Sequence, residues 1–440
     1  MAPEKTAGDG PDPTLNSQPN DRDKAWRILL WVFGFVLLVL VFVPIWHSLR
    51  GHSTKDYWVW YQTGQTVLQG GEVYPNQWHK FPFMYPPPCA LFLAPISALG
   101  LTGLVIVLAL VIAAAWVCSI VFSVRLATGG NGRAPLLVYL LPSLAMGAHV
   151  WGNFLLGQPS LVLLSLMLGA FLCLQRKWQW SAGGLIAVAA AIKAFPAVAI
   201  VYLIYRRYWI ATASFIVALA FLLIVLPMPF RGFAQAKEDL QRWSSGMLFK
   251  YDESGVGQRL GRSNSWKNQS IWGTANRLLR HVEYDHKYEP HEPVYANVAD
   301  LDFNTVNRII LGCALALGLV FVTAMPRKNR RTRETDAMEF ALLILLILVF
   351  TPLSFGYLFA WLLYPLTVAA QRIFAGTGSH RFLAACALGA IALLALSIPI
   401  RVLAQVYGNA LFATLLLFAG LTVELWGVKR AAVSGGLSSE

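Results

Sequence analysis

Charge is what this sequence has least of. Charged residues fill 13% of its 440 positions, about half the share of an ordinary soluble protein. Acidic residues number 22, and not one lies between Val73 and Lys237. Upstream of that gap, outside the N-terminal tail, the acids are Asp56 and Glu72. Hydrophobic residues make up 57% of the chain and mean hydropathy is +0.55. So little polar surface cannot coat a water-soluble core of this size, so the bilayer is the solvent for most of the chain. Several chemistries lack their signatures too. The five cysteines, Cys89, Cys118, Cys173, Cys313 and Cys386, show no CxxC spacing and read as small buried hydrophobes. The histidines, among them His47, His52, His79, His149, His281, His286 and His291, show no metal-binding spacing. No P-loop, GxSxG or GxGxxG stands in a strand–helix context. No internal repeat is visible, which argues against many transporter folds.

What is present is a net charge of +13, gathered in short clusters between apolar runs: Arg22/Lys24/Arg27, Arg125/Arg133, Arg176/Lys177, Arg206/Arg207, Arg327 to Arg333, and Lys429/Arg430. Membrane proteins mark cytoplasmic loops this way, and no nucleic-acid module accompanies the charge. The chain reads as an all-α polytopic membrane protein with about twelve crossings, some short or broken. Residues 1–24 are expected to be a disordered cytoplasmic tail, 25–430 the membrane domain and 431–440 a second cytoplasmic tail. A first span covers about 27–46, and others fall near 99–124, 134–150, 158–174, 209–226, 304–325, 339–352, 355–371, 382–400 and 403–427. Two outer segments are large, 47–85 and 227–303, and both are rich in aromatics. Residues 181–205 have the length of one span. A single crossing would put Arg176/Lys177 and Arg206/Arg207 on opposite sides and Lys193 in mid-bilayer. A hairpin of 181–193 and 195–205, turning near Lys193–Pro196, avoids both problems.

Five places could carry chemistry. Asp56 opens a stretch in which Tyr57, Trp60, Tyr61, Gly64 and Val67/Leu68 recur at helical spacing, as in an amphipathic helix on the outer membrane surface. It is either the N-cap of that helix or a reactive carboxylate. Tyr85 leads into Pro86-Pro87-Pro88 after the turn Gly70-Gly71-Glu72. Asn153 and Gln158 bracket a loop between two spans, as helix caps or as donors to sugar hydroxyls. Lys193 sits at the hairpin tip, where it either snorkels or meets an anion. Asn268-Gln269-Ser270 with Arg277 lies in the long outer loop. The tripeptide fits a glycosylation sequon, and Arg277 is a phosphate clamp or a solvated helix residue.

In order, these pieces resemble glycosyltransferase family 87. An acid follows the first span, then come an aromatic helix, Gly-Gly-x-x-Tyr74, Tyr85-Pro-Pro-Pro, Gly157-Gln158-Pro159-Ser160, Lys193-x-x-Pro196 with Arg206-Arg207-Tyr208-Trp209, and Asn268-Gln269-Ser270…Arg277. The resemblance covers about residues 50–370. It implies a type C glycosyltransferase fold in the inner (plasma) membrane. The implied enzyme moves a sugar, usually mannose, from a polyprenyl-phosphate donor to a glycolipid or glycan acceptor on the outer face, with inversion. Asp56 is then the general base. Lys193, Gln158 and Arg277 are cavity residues, and Asn153, Asn268, Tyr85 and Tyr357 are further binding candidates. No cofactor and no metal are expected, and membrane lipids are the remaining partners. Relatives often carry a histidine in a late span where this chain reads Thr351-Pro352-Leu353-Ser354-Phe355-Gly356-Tyr357. Tyr357 or Lys193 would have to replace it. Arabinofuranosyl transfer, a lipid-linked sugar flippase and an inactive glycan-binding protein are the competing readings.

Overall fold

The computed structural model describes residues 21–52, 54–75, 83–130, 134–257, 262–285, 291–376 and 379–434. The expected tails therefore lie outside the described residues at 1–20 and 435–440, as do Trp78, His79, Lys80, Arg133 and His286. The chain divides into two units, residues 1–40 and 41–440. Helix α1 (Asp21–Leu49) begins in the first, and its helical structure already covers 21–24. All packing described below belongs to the second.

Helix α2 (Asp56–Leu68) starts with an acid in its first turn, where the helix dipole favours negative charge, and stops at Gly70 with φ 70°. Helix α3 (Pro87–Ser97) begins on prolines whose missing N–H groups are needless in a first turn. It packs on α2 so tightly that a Cβ at Gly64 would lie 1.9 Å from the Ser97 hydroxyl. Helix α4 (Gly100–Ala127) follows. The single span expected near 134–150 is two helices, α5 (Leu136–Ala145) and α6 (Gly147–Leu156), broken four residues after Pro142. Asn153 accordingly stands on a helix and not in a loop. After Gly157 comes α7 (Ser160–Gln175), bent 118° from α6.

The hairpin expected at 181–205 is present. Helix α8 (Gln179–Ile192) ends at an extended Lys193, a 3-10 turn covers Phe195–Val198, and α9 (Ala199–Tyr205) returns. The return is fixed by α10 (Trp209–Ala220), whose Ser214 hydroxyl donates to the Trp180 carbonyl at the start of α8 (2.8 Å). The stretch before α14 holds α11 (Met228–Arg231), α12 (Phe233–Trp243), a two-stranded antiparallel ribbon of β1 (Tyr251–Asp252) and β2 (Gly255–Val256), and α13 (Ile271–Leu279). Helices α14 (Phe303–Ala324), α15 (Arg333–Phe350), α16 (Leu363–Ala375), α17 (Arg381–Ala395), α18 (Arg401–Val406) and α19 (Asn409–Ser434) complete the chain.

Among the described residues, six helices are long and apolar enough to cross a membrane, or seven if the bent α6–α7 pair counts as one span. Five shorter apolar helices stand beside them, α8 and the Phe195–Tyr205 segment included. The protein is thus an all-α, multi-pass membrane protein. Its most enclosed helix is α15, where residues Ala337 to Leu345 are all buried, Glu339 among them.

Candidate active site

The site is built where α2 meets the turn between α6 and α7. The aromatic face of α2 supplies the anchors. The Tyr57 hydroxyl donates to the Phe154 carbonyl (2.9 Å), and the Trp60 indole N–H donates to the Gly157 carbonyl (2.8 Å). Burial raises the Tyr57 phenol well above its ordinary range, so it stays a neutral donor. Gly157 has φ 71°, and a Cβ there would lie 2.9 Å from the Tyr57 ring. Only glycine lets the α6–α7 turn approach α2 this closely. This contact aims the next residue, Gln158, at the first residue of α2.

The Gln158 side chain joins two candidates. Its Nε2 donates to Asp56 Oδ2 (2.5 Å), while its Oε1 accepts from the Tyr85 hydroxyl (3.0 Å). A carboxylate on one side and a phenol on the other assign the amide orientation. Asp56 does not cap its helix, because the N-cap is Lys55. Tyr85 is fixed by Trp60, with ring centroids 4.5 Å apart, and by the Tyr74 hydroxyl, which donates to its carbonyl (2.6 Å). The other early acid, Glu72, is paired with Arg242 (3.0 Å).

Lys193 joins this cluster through aromatic faces. Its ammonium lies 5.4 Å from the Tyr85 ring centre, 5.3 Å from Tyr357 and 5.8 Å from Phe195. Such faces attract a cation. The extended backbone at Lys193 that ends α8 turns the side chain toward them. Tyr357 is placed by α6. Asn153 Nδ2 donates to the Tyr357 carbonyl and to the His149 carbonyl (both 2.9 Å), and the His149 ring Nδ1–H donates to the Gly356 carbonyl (2.7 Å). The remaining Asn153 acceptor, Oδ1, is buried with no hydrogen-bond partner among the described residues. Sequence reasoning passed over His149 as one of several scattered histidines. Its spacing of four from Asn153 on a helix is the signal that could have linked them. An imidazole from α6 thus supports the 351–357 segment, which has no histidine of its own.

Asn268 and Arg277 form a second network behind that segment. Asn268 is fully buried, and its amide donates to the Ser263 and Pro352 carbonyls (2.8 and 2.9 Å). Its Oδ1 accepts from the Ser354 and Ser270 backbone N–H groups (2.9 and 3.2 Å). A side chain so enclosed cannot receive a glycan, so the sequon match is a structural motif. Arg277 is fully buried as well, and burial pulls its pKa down to about 9. Its Nε donates to the Val406 carbonyl (3.1 Å), Nη1 to Ser265 and Asn268 (2.8 and 2.7 Å), and Nη2 to Gln405 (3.2 Å). The clamp expected for a phosphate grips protein carbonyls instead, with every guanidinium nitrogen engaged. It holds the 264–277 segment against residues 405–406, and Asn268 then holds the 352–355 segment.

Asp56, Gln158, Tyr85, Lys193, Tyr357 and Asn153 therefore form one connected cluster, with Asn268 and Arg277 as its brace. Among the described residues no group of three or more His, Cys, Asp or Glu side chains could hold a metal ion. The cluster offers a carboxylate, a cation and hydrogen-bonding aromatics, a set suited to taking a proton at one point and stabilising an anion at another.

The family model for glycosyltransferase family 87 matches residues 83–352, more than half of the chain. A polyprenol-phosphate-mannose-dependent alpha-(1-2)-phosphatidylinositol mannoside mannosyltransferase of Mycolicibacterium smegmatis is 26% identical over 383 residues, covering 79% of this chain and 76% of that protein. No solved structure matches the chain. This membrane protein is a glycosyltransferase and belongs to glycosyltransferase family 87.

Proposed function

We propose that the protein transfers a sugar, mannose by preference, from a polyprenyl-phosphate donor to a lipid-linked or cell-envelope glycan acceptor, with inversion, on the outer face of the inner (plasma) membrane. The observation that carries the reading is the path from Asp56 through Gln158 and Tyr85 to Lys193, which links a carboxylate to an ammonium. The M. smegmatis relative, named for a polyprenol-phosphate-mannose donor and a phosphatidylinositol mannoside, supports the donor and acceptor classes.

In this mechanism the acceptor hydroxyl is a weak nucleophile, and Asp56 accepts its proton as the oxygen attacks the anomeric carbon. General-base help of this kind is worth about 10²–10⁴ in rate. The bond to the donor phosphate breaks in the same displacement, and polyprenyl phosphate leaves with the electron pair. Lys193 faces the growing negative charge. Gln158 steers one carboxylate oxygen and leaves Asp56 in place to receive the hydroxyl. The leaving group is a monophosphate, less charged than a nucleotide diphosphate, so one ammonium and neutral donors serve it without a metal ion.

The proposed fold is the type C glycosyltransferase fold. The short apolar helices bring the crossings to about twelve, with 47–85 and 227–303 outside and both chain ends in the cytoplasm. The test is direct. Purified protein is incubated with polyprenyl-phosphate mannose labelled in the sugar and with candidate glycolipid acceptors. Labelled glycolipid is the expected product. Label recovered only in intact donor that has crossed the vesicle membrane would overturn the reading.

A further inference from the structure

The end of α8 remote from Lys193 carries a different chemistry. Helix α8 runs fourteen residues from Gln179 to Ile192, about 20 Å at 1.5 Å per residue. There the turn after α7 and the turn after α9 repeat one conformation, with a basic residue at positive φ in each, Lys177 at 64° and Arg207 at 58°. Three contacts bring these turns beside the segment after α14. Arg206 donates to the Pro326 carbonyl (3.0 Å), Arg331 to the Tyr208 hydroxyl (2.7 Å), and Ser214 to the Trp180 carbonyl (2.8 Å). Arg176, Lys177, Arg207, Arg327, Lys328 and Arg330 are all exposed on these segments. Among the described residues none of these six is paired with a carboxylate. The acids nearby are already taken: Glu339 by Arg206, Asp336 by Arg331, and Glu334 by Arg372.

The cations adjoin an exposed apolar face. Trp178, Trp180 and Trp209 are exposed at the same turns. From there Ile210 and Val217 on α10 and Phe221 just past its end follow one another, all exposed. Their spacing of seven and four places them on one stripe of the helix. Unpaired cations at one end, tryptophans between, and an apolar stripe leading away match the charge, the headgroup depth and the acyl chain of a lipid in turn. A soluble acidic partner would leave the apolar stripe unexplained.

We infer that this face is a binding site for an anionic phospholipid. Its phosphodiester headgroup sits among Lys177, Arg207 and Arg327, and its acyl chain runs along the Ile210–Phe221 stripe. Native mass spectrometry or lipid-exchange measurements on the full-length protein, with phosphatidylglycerol competing against phosphatidylcholine, test it. The protein is expected to retain phosphatidylglycerol at least tenfold more strongly at low salt, with the preference shrinking as salt rises. Each of Lys177→Gln, Arg207→Gln and Arg327→Gln should lower it about fivefold. Equal retention of the two lipids overturns the inference, as does a preference that survives all three substitutions together. Displacement by soluble glycerol phosphate as readily as by intact lipid also overturns it. If the triple variant does not fold, the three single variants, each checked for an unchanged melting temperature in phosphatidylcholine, carry the same test.

Discussion

The two ends of α8 hold their acidic residues in opposite ways. At the Lys193 end, Asp56 accepts a hydrogen bond from the neutral amide of Gln158. At the other end, Glu339 is met by the Arg206 guanidinium, whose Nε donates to its Oε2 (2.9 Å), and by the Tyr202 hydroxyl (3.0 Å). An amide orients a carboxylate through a neutral N–H. A guanidinium occupies it with charged donors. We propose that one end serves proton transfer and the other cohesion. Lys193 lies over the rings of Tyr85 and Tyr357, and Arg206 and Arg331 pair with Glu339 and Asp336.

Substitutions that separate chemistry from cohesion break this comparison most sharply. Asp56→Asn should lower transfer by about 10²–10⁴ with an unchanged unfolding midpoint, checked by label transfer and by thermal melting in detergent. Arg206→Met should do the reverse. Leaving Glu339 buried without its partner costs about 3–5 kcal/mol of stability, read from denaturant unfolding, while transfer per folded molecule stays within about twofold. Adding Glu339→Leu should restore most of that loss. Gln158→Leu leaves the base present and unsteered, and the turnover number should fall by up to about a hundredfold. Tyr85→Phe removes one hydrogen bond to the Gln158 amide and should cost about fivefold in turnover.

Much of the site was legible because polar residues are scarce in this chain. With no acid between Val73 and Lys237, Asp56 stood out. A lysine followed by proline inside an apolar run announced the break at Lys193. The glycine in Gly157-Gln158 marked a turn whose tightness the Tyr57 contact explains. Other parts were hidden for physical reasons. Arg277 and Asn268 look like ligand contacts in sequence because both are polar and lie in a long polar stretch between apolar runs. Only burial reveals that backbone carbonyls satisfy them. His149 was obscure because its partner, Gly356, is 207 residues away. The break between α5 and α6 was concealed by an unbroken apolar run, in which Pro142 was the one local sign.

The proposed division of labour between Asp56 and Lys193 is tested most directly by measuring donor binding and single-turnover transfer side by side on the two variants. Asp56→Asn should bind polyprenyl-phosphate mannose as the wild type does and fail to transfer it. Lys193→Ala should bind the donor about ten- to a hundredfold more weakly, yet transfer a measurable share of what it binds at saturation. Near-normal turnover by Asp56→Asn, or unchanged donor affinity in Lys193→Ala, would contradict the account.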